Sequence, residues 1–437
     1  MTTTAVLAHG LGGSADLPIP FTYAVVGAAW TLTLTFAVVA LAWRTPRFDP
    51  DTPGRALPRW VTTVVDAPVT RWLIAAAGLA FTAWVAVAAV TGPQDSRNAL
   101  PGVFYVLLWV GLVALSLFLG PVWRAISPVR TVLRLLRVTR DSVAFPRRFA
   151  RPYPRRLGYR PAAAGLFAFV WLELASPDPG SLTAVKIWLL IYLAVTLVGG
   201  LLSGPRWCAH ADPFEVYSMI ASRCAPWRRN PDGRIAVGNP FNQLLSLPVR
   251  PGTVTVLAVL LGSTAFDSFS AMPVWRNFVD THTSGAWDAS AVKTAGLLVF
   301  VVTVAVTFSL AAGATGGVDR EGRRALPGLM AHSLVPIVIG YVFAHYLTYL
   351  VEKGQQTVHA LMGTPDAQVY YLLSMHPSVL ASLKVGFVLL GHVAGVIAAH
   401  DRALRVLPKG HQMTGQLAMM LVMVGYTFTG LYLLFGG

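Results

Sequence analysis

Six ionisable side chains fall inside long apolar stretches of this sequence: Glu173, Asp267, His332, His345, Lys384 and His392, with His400 and Asp401 closing the last of those stretches. Such a group costs several kcal/mol in apolar surroundings unless it is paired or hydrated, which makes each a default candidate for chemistry. Imidazole and carboxylate together suit proton transfer or the binding of a divalent metal. His332 and His345 share one stretch but stand thirteen residues apart, about 20 Å along a helix, so they cannot hold one ion together. His332 falls at the depth of His392, and His345 at the depth of Asp267. Two layers are therefore expected. The outer layer would hold Asp267 and His345, with His376 as a third ligand and His9, His282 and His359 close by in loops. The expected catalytic carboxylates are Asp267 and Glu173. The expected metal ligands are His345, His376 and Asp267, with His332 and His392 as a second set. Zinc is the expected metal, and haem or copper are the alternatives.

Each feature also has a plainer reading. A single intramembrane histidine is often a packed imidazole bonded to a neighbouring helix. Asp267 lies about one turn from the rim among Ser263, Thr264, Ser268 and Ser270, where water could serve it. Lys384 is expected to snorkel outward. Met419, Met420 and Met423 fit core packing better than copper binding, and Cys208, His210 and Cys224 have poor zinc spacing. Pro336 cannot donate to the His332 carbonyl and is expected to kink its helix. Gly391 and Gly395 flank His392 as a small-residue pair that would admit a close helix neighbour.

The elements that must position these groups are membrane spans. The chain is 55% apolar and 12% charged, outside the range of soluble domains. Apolar windows of spanning length, about 20 residues, recur at 21–43, 72–91, 102–120, 161–176, 181–203, 252–271, 289–314, 327–351, 377–400 and 413–435. The expectation is an all-α polytopic protein of about ten transmembrane helices forming a single integral membrane domain over 1–437. The window at 161–176 is the weakest, being short and interrupted by Glu173, so a broken span there is an open alternative. Residues 1–20 lack the basic start and apolar run of a cleavable signal peptide, which leaves the first span as the expected insertion signal. Cys208 and Cys224 are expected as free thiols.

A formal charge of +15 would suggest nucleic acid for a soluble protein, but here its distribution marks one face of a membrane. Of the 34 Lys and Arg residues, 28 lie in the segments 44–71, 121–160, 204–250, 315–326 and 401–411. Basic residues are retained on the cytoplasmic side, so both termini are expected outside a plasma membrane crossed many times. Two cytoplasmic interfacial segments are expected, 121–160 and 204–250. In the first, Arg130, Arg134, Arg137 and Arg140 recur at helical spacing behind Ser127-Pro128, to lie against anionic lipid headgroups. In the second, a helix starting at Asp212-Pro213 would align Phe214, Tyr217, Ile220 and Cys224 on the inner leaflet. Nucleic acid is not an expected partner; partner membrane subunits are.

The stretches Ala8-His9-Gly10-Leu11-Gly12-Gly13, Thr264-Ala265-Phe266-Asp267, Ala331-His332-Ser333-Leu334-Val335-Pro336 through Ala344-His345-Tyr346, and Gly391-His392-Val393 through His400-Asp401 resemble actinobacterial membrane proteins named as fenitrothion hydrolases. The resemblance runs along the whole chain. It implies hydrolysis of an organophosphate ester with release of an aryl alcohol. The chemistry of the residues adds a means, a metal-bound water made acidic enough to attack phosphorus. Three other classes stay open, one of them a purely structural role in a larger membrane complex, with the polar residues as interface contacts. An electron-transfer subunit could ligate haem through His332/His392 or His345/His376, although thirteen and sixteen residues turn a straight helix by about 220° and 160°, facing the histidines of each helix apart. A metal- or proton-coupled transporter would use the outer histidines for capture and His332/His392 as a gate.

Overall fold

A computed structural model of the chain describes residues 17–136 and 152–435. His9 with its glycine-rich surroundings, Arg137 and Arg140 lie outside the described residues. The protein is a mostly helical, multi-pass membrane protein: among the described residues nine helices are long and apolar enough to cross a membrane. A tenth helix, Arg160–Leu174, covers the weak window and has 15 residues, about 22 Å at 1.5 Å per residue, short of a hydrocarbon layer of about 30 Å. It nevertheless runs the same course as Thr253–Ser270. Tyr159 N donates to Pro251 O at one end, and Glu173 comes within electrostatic reach of Asp267 at the other.

The described parts of the five basic segments meet on one face of the bundle. Strands β1 (Arg55–Ala56), β2 (Trp227–Arg229) and β3 (Ile235–Val237) form a small antiparallel sheet in the order β1-β3-β2, joining the first and third segments. Arg47 N donates to Asp401 Oδ1 at 2.6 Å and ties the first segment to the fifth. His411 packs on Gly316 and Gly317 and ties the fifth to the fourth. Arg130 forks onto Glu215 at 2.5 and 2.6 Å and ties the second to the third. At the opposite end, the Phe21 and Tyr432 rings lie 6.5 Å apart, so the two ends of the described chain share the other face.

Two expectations for the basic segments are corrected here. Arg130 is only 8% exposed; its guanidinium is spent on Glu215 and the Pro205 carbonyl, not on lipid headgroups. The helix Pro213–Ala221 does start at Asp212, whose carboxylate accepts from Phe214 N and Glu215 N. It is buried on nearly every side because it packs into the bundle against Arg160–Leu174 and Leu112–Leu119 rather than lying on a leaflet. Cys208 and Cys224 are free thiols.

Position in the bundle follows from composition. Pro68–Thr91 has 11% of its apolar window buried, whereas Thr253–Ser270 has 72% and the helical run Arg320–Leu361 has 67%. The two innermost elements carry Asp267, His332 and His345. The run at Arg320–Leu361 is not uniform: a 3-10 turn at Ala331–Ser333 precedes the helix Leu334–Thr348, and a π-helical stretch follows at Tyr349–Lys353. Pro336 therefore sits in the first turn of a helix, where its missing N–H is not needed, and the span is irregular at 331–333 and again at Tyr346 rather than kinked at Pro336.

Close packing against Pro377–Val406 needs its glycines. A Cβ on Gly391 would stand 2.7 Å from Pro336 O, one on Gly395 2.8 Å from Ser333 O, and one on Gly340 2.5 Å from Phe387 O. Without lipid-excluded hydrophobic force, such small-residue contacts are a main source of helix association in a membrane.

Candidate functional site: a buried carboxylate–imidazole–phenol centre

Asp267 is the hub. It lies three residues before the end of Thr253–Ser270 and is 3% exposed. Its Oδ2 is 2.8 Å from His345 Nε2 and accepts from the Tyr346 hydroxyl at 2.8 Å. The other ring nitrogen, His345 Nδ1, is 3.2 Å from Ser268 Oγ. The adjacent residues His345 and Tyr346 reach one oxygen because the backbone departs from helix at Tyr346, with φ −109° and ψ 16°. An ordinary helix would turn their side chains about 100° apart.

Glu173 faces this hub from Arg160–Leu174. The residue is partly exposed as a whole, but its Oε2 is sealed from solvent and has no hydrogen-bond partner. It lies close enough to Asp267 for the two carboxyl groups to repel. Tyr105 and Tyr349 are also within electrostatic reach of Glu173. Both tyrosines sit on π-helical segments, Val103–Gly111 and Tyr349–Lys353, which pack against each other. Wide helical turns of this kind occur frequently at functional sites, where they re-aim side chains. The two tyrosines also line a cleft of about 320 Å³.

The other sequence candidates do not join this cluster. His376 is exposed at the start of Pro377–Val406. His332 has Nδ1 3.1 Å from Leu329 O and Nε2 3.3 Å from Ala398 O. That second contact is six residues, about 9 Å, along the helix from His392. His392 instead bonds the Val388 carbonyl of its own helix at 2.9 Å and meets the Tyr341 ring edge-on; its Nε2 is buried with no partner. His282 bonds locally to Phe278 O and is exposed. Lys384, expected to snorkel, is 1% exposed. Tyr346, Tyr349 and Tyr105 were not signalled by the sequence, since tyrosine is common in apolar helices; Tyr346 beside His345 offered only adjacency.

The Asp267–His345 cluster as it stands is not arranged as a set of metal ligands. Both nitrogens of His345 and the Oδ2 of Asp267 are engaged with one another and with Ser268 and Tyr346, and among the described residues no three His, Cys, Asp or Glu side chains surround one point. The arrangement suits proton exchange, since a carboxylate, an imidazole and a phenol already share hydrogen bonds and a second carboxyl stands opposite them. No family model, curated protein or solved structure matches the chain.

Proposed function

We propose that the protein is a proton-coupled transporter of the plasma membrane whose proton is taken up at the Glu173–Asp267–His345 centre. The observation that carries the reading is the sealed, unpartnered Oε2 of Glu173 facing the Asp267 carboxylate. A carboxyl group sealed from water near a second one is a natural place for a proton to be taken up and released. His345 is the exchange partner, because its ring bonds Asp267 on one side and a hydroxyl on the other. Tyr105 and Tyr349, which line the cleft and lie within electrostatic reach of Glu173, would link the two spaces for protons.

Orientation belongs to the same proposal. The shared basic face is cytoplasmic by the retention of Lys and Arg, which puts both termini and the acid–base centre on the outer side. Anionic headgroups then face the exposed arginines of the basic segments, such as Arg59 and Arg71, and no nucleic acid is needed to explain the charge.

A second reading is hydrolysis of an organophosphate ester, as the resemblance to fenitrothion hydrolases implies. The chain Ser268 Oγ, His345, Asp267 supports it: imidazole oriented by a carboxylate could take the hydroxyl proton as serine attacks phosphorus and the aryl alcohol leaves. Because the described donors do not form a metal set, this version uses no metal-bound water. The experiment is reconstitution into liposomes containing a trapped pH dye, with an acid pulse outside and benzenesulfonate, a permanently charged anion, added there. Anion-dependent acidification that is lost in Glu173→Gln and Asp267→Asn supports transport. Aryl alcohol release from an organophosphate that needs Ser268 but not Glu173 overturns it in favour of hydrolysis.

A further inference from the structure

We infer that the cleft outside Tyr105 and Tyr349 is a binding site for a small organic anion with Lys353 as its charge partner. The inference rests on the transport reading, to which it adds the substrate class.

The cleft measures about 320 Å³, at the small end of the range of ligand pockets. It is bounded by the segment around Asn98–Val106 on one side and by Tyr349–Ala360 on the other. Two cations line it. Arg97 is committed to Asp95, with Nη2 to Oδ2 at 2.9 Å, and also approaches Asp366. Lys353 has no carboxylate partner among the described residues, and the neighbouring Glu352 is turned away, its oxygens holding Leu373 N, Ser374 N and the Ser374 hydroxyl. Gln356, one turn on from Lys353, also lines the cleft with no protein partner among the described residues for its side-chain amide. A cation and an amide donor thus converge on one space with their hydrogen-bonding capacity unspent.

The remaining wall favours an apolar body on that anion. Pro101, Val106 and Ala360 are apolar, and Tyr105 and Tyr349 add aromatic surface to the lining. The Tyr105 hydroxyl donates to the Pro179 carbonyl at 3.2 Å, which fixes that ring in place. A ligand with a charged head and a flat or compact apolar tail would place the head on Lys353 and the tail on the tyrosines. Proton uptake behind those tyrosines would then accompany the anion and offset its charge during passage, which lowers the cost of moving it through a low-dielectric interior.

The test is calorimetric titration of the full-length protein in detergent with benzenesulfonate and with its neutral analogue benzenesulfonamide. Benzenesulfonate is expected to bind at least tenfold more tightly than the sulfonamide, with tenfold or greater weakening in Lys353→Gln, recovery in Lys353→Arg, and an unchanged melting temperature for both variants. Equal binding of the two compounds, or a Lys353→Gln variant that binds as wild type, overturns the inference. Binding and proton coupling are read separately: if the proton reading fails while the cleft stands, benzenesulfonate binds in a Lys353-dependent way but drives no acidification of liposomes, whereas if the cleft fails, Lys353→Gln binds as wild type whatever the liposomes show.

Discussion

The Asp267 carboxylate and the His345 imidazole meet at 2.8 Å across two helices, 78 residues apart in sequence, and the same oxygen accepts a second bond from Tyr346. Neither partner is exposed by more than 3%, so each holds the other in place where water cannot substitute. Asp267→Ala should cost about 3 kcal/mol or more, since removing one member of a buried pair strands the other. Tyr346→Phe should cost about 1 kcal/mol, because Asp267 keeps its bond to His345. Thermal unfolding of the purified variants in one detergent checks the order, and equal losses would contradict it.

Arg130 and Glu215 form a second buried pair, 8% and 5% exposed, on the basic face. Arg130→Ala alone should destabilise by about 3 kcal/mol or more. The double variant Arg130→Met with Glu215→Leu should recover much of that loss, because no uncompensated charge remains. A double-mutant cycle in denaturant or heat measures the coupling; additive losses would show that the fork contributes nothing as a pair.

Asp212 gives the protein a pH response outside its spans. Burial, helped by the nearby Glu215, pushes its carboxyl up to about 7, against the Trp123 indole and the Phe214 and Glu215 amides that bond it. An acid held above its unfolded value, 3.8, binds its proton more tightly in the folded state. Its contribution to stability is complete below the unfolded value, shrinks as pH rises through the folded one, and is constant beyond. The melting temperature should therefore fall between about pH 4 and pH 7, and Asp212→Asn should flatten that part of the profile. A variant with the wild-type slope would assign the titration to another group.

Gly391 allows Pro377–Val406 to touch Leu334–Thr348. Gly391→Leu places a branched side chain where even a Cβ would stand 2.7 Å from Pro336 O, so the helices must separate. Loss of folded yield, or a melting temperature lowered by more than Gly386→Leu produces, is expected. Gly386 is the comparison because nothing lies within 4 Å of its Cβ position.

What the sequence revealed and what it concealed divide by range. Hydropathy and Lys/Arg placement foretold the helices and grouped the basic segments, because both depend on composition over twenty residues. Depth along the spans matched His345 with Asp267, since rise per residue is fixed, while Glu173 stood out only as a charge inside an apolar stretch. Rotation about each helix axis was not legible. Depth alone set His332 level with His392, whereas the 3-10 turn at Ala331–Ser333 delivers His332 to the Ala398 carbonyl. Likewise the broken backbone at Tyr346 and the π-helical segments carrying Tyr105 and Tyr349 change where side chains point, and no residue type announces such turns. Arg130 read as a lipid-facing cation because its partner, Glu215, lies 85 residues away.

On the proposed reading, Glu173 and the Asp267–His345 pair share a proton in the closed interior of the bundle. Infrared difference spectra recorded while the pH is stepped report the carbonyl stretch of a protonated carboxyl group directly. The wild type is expected to show such a band; Glu173→Gln should remove it, and Asp267→Asn should shift it because the repelling neighbour is gone. A band that persists unchanged in Glu173→Gln would contradict the claim and remove Glu173 from the proton-handling centre.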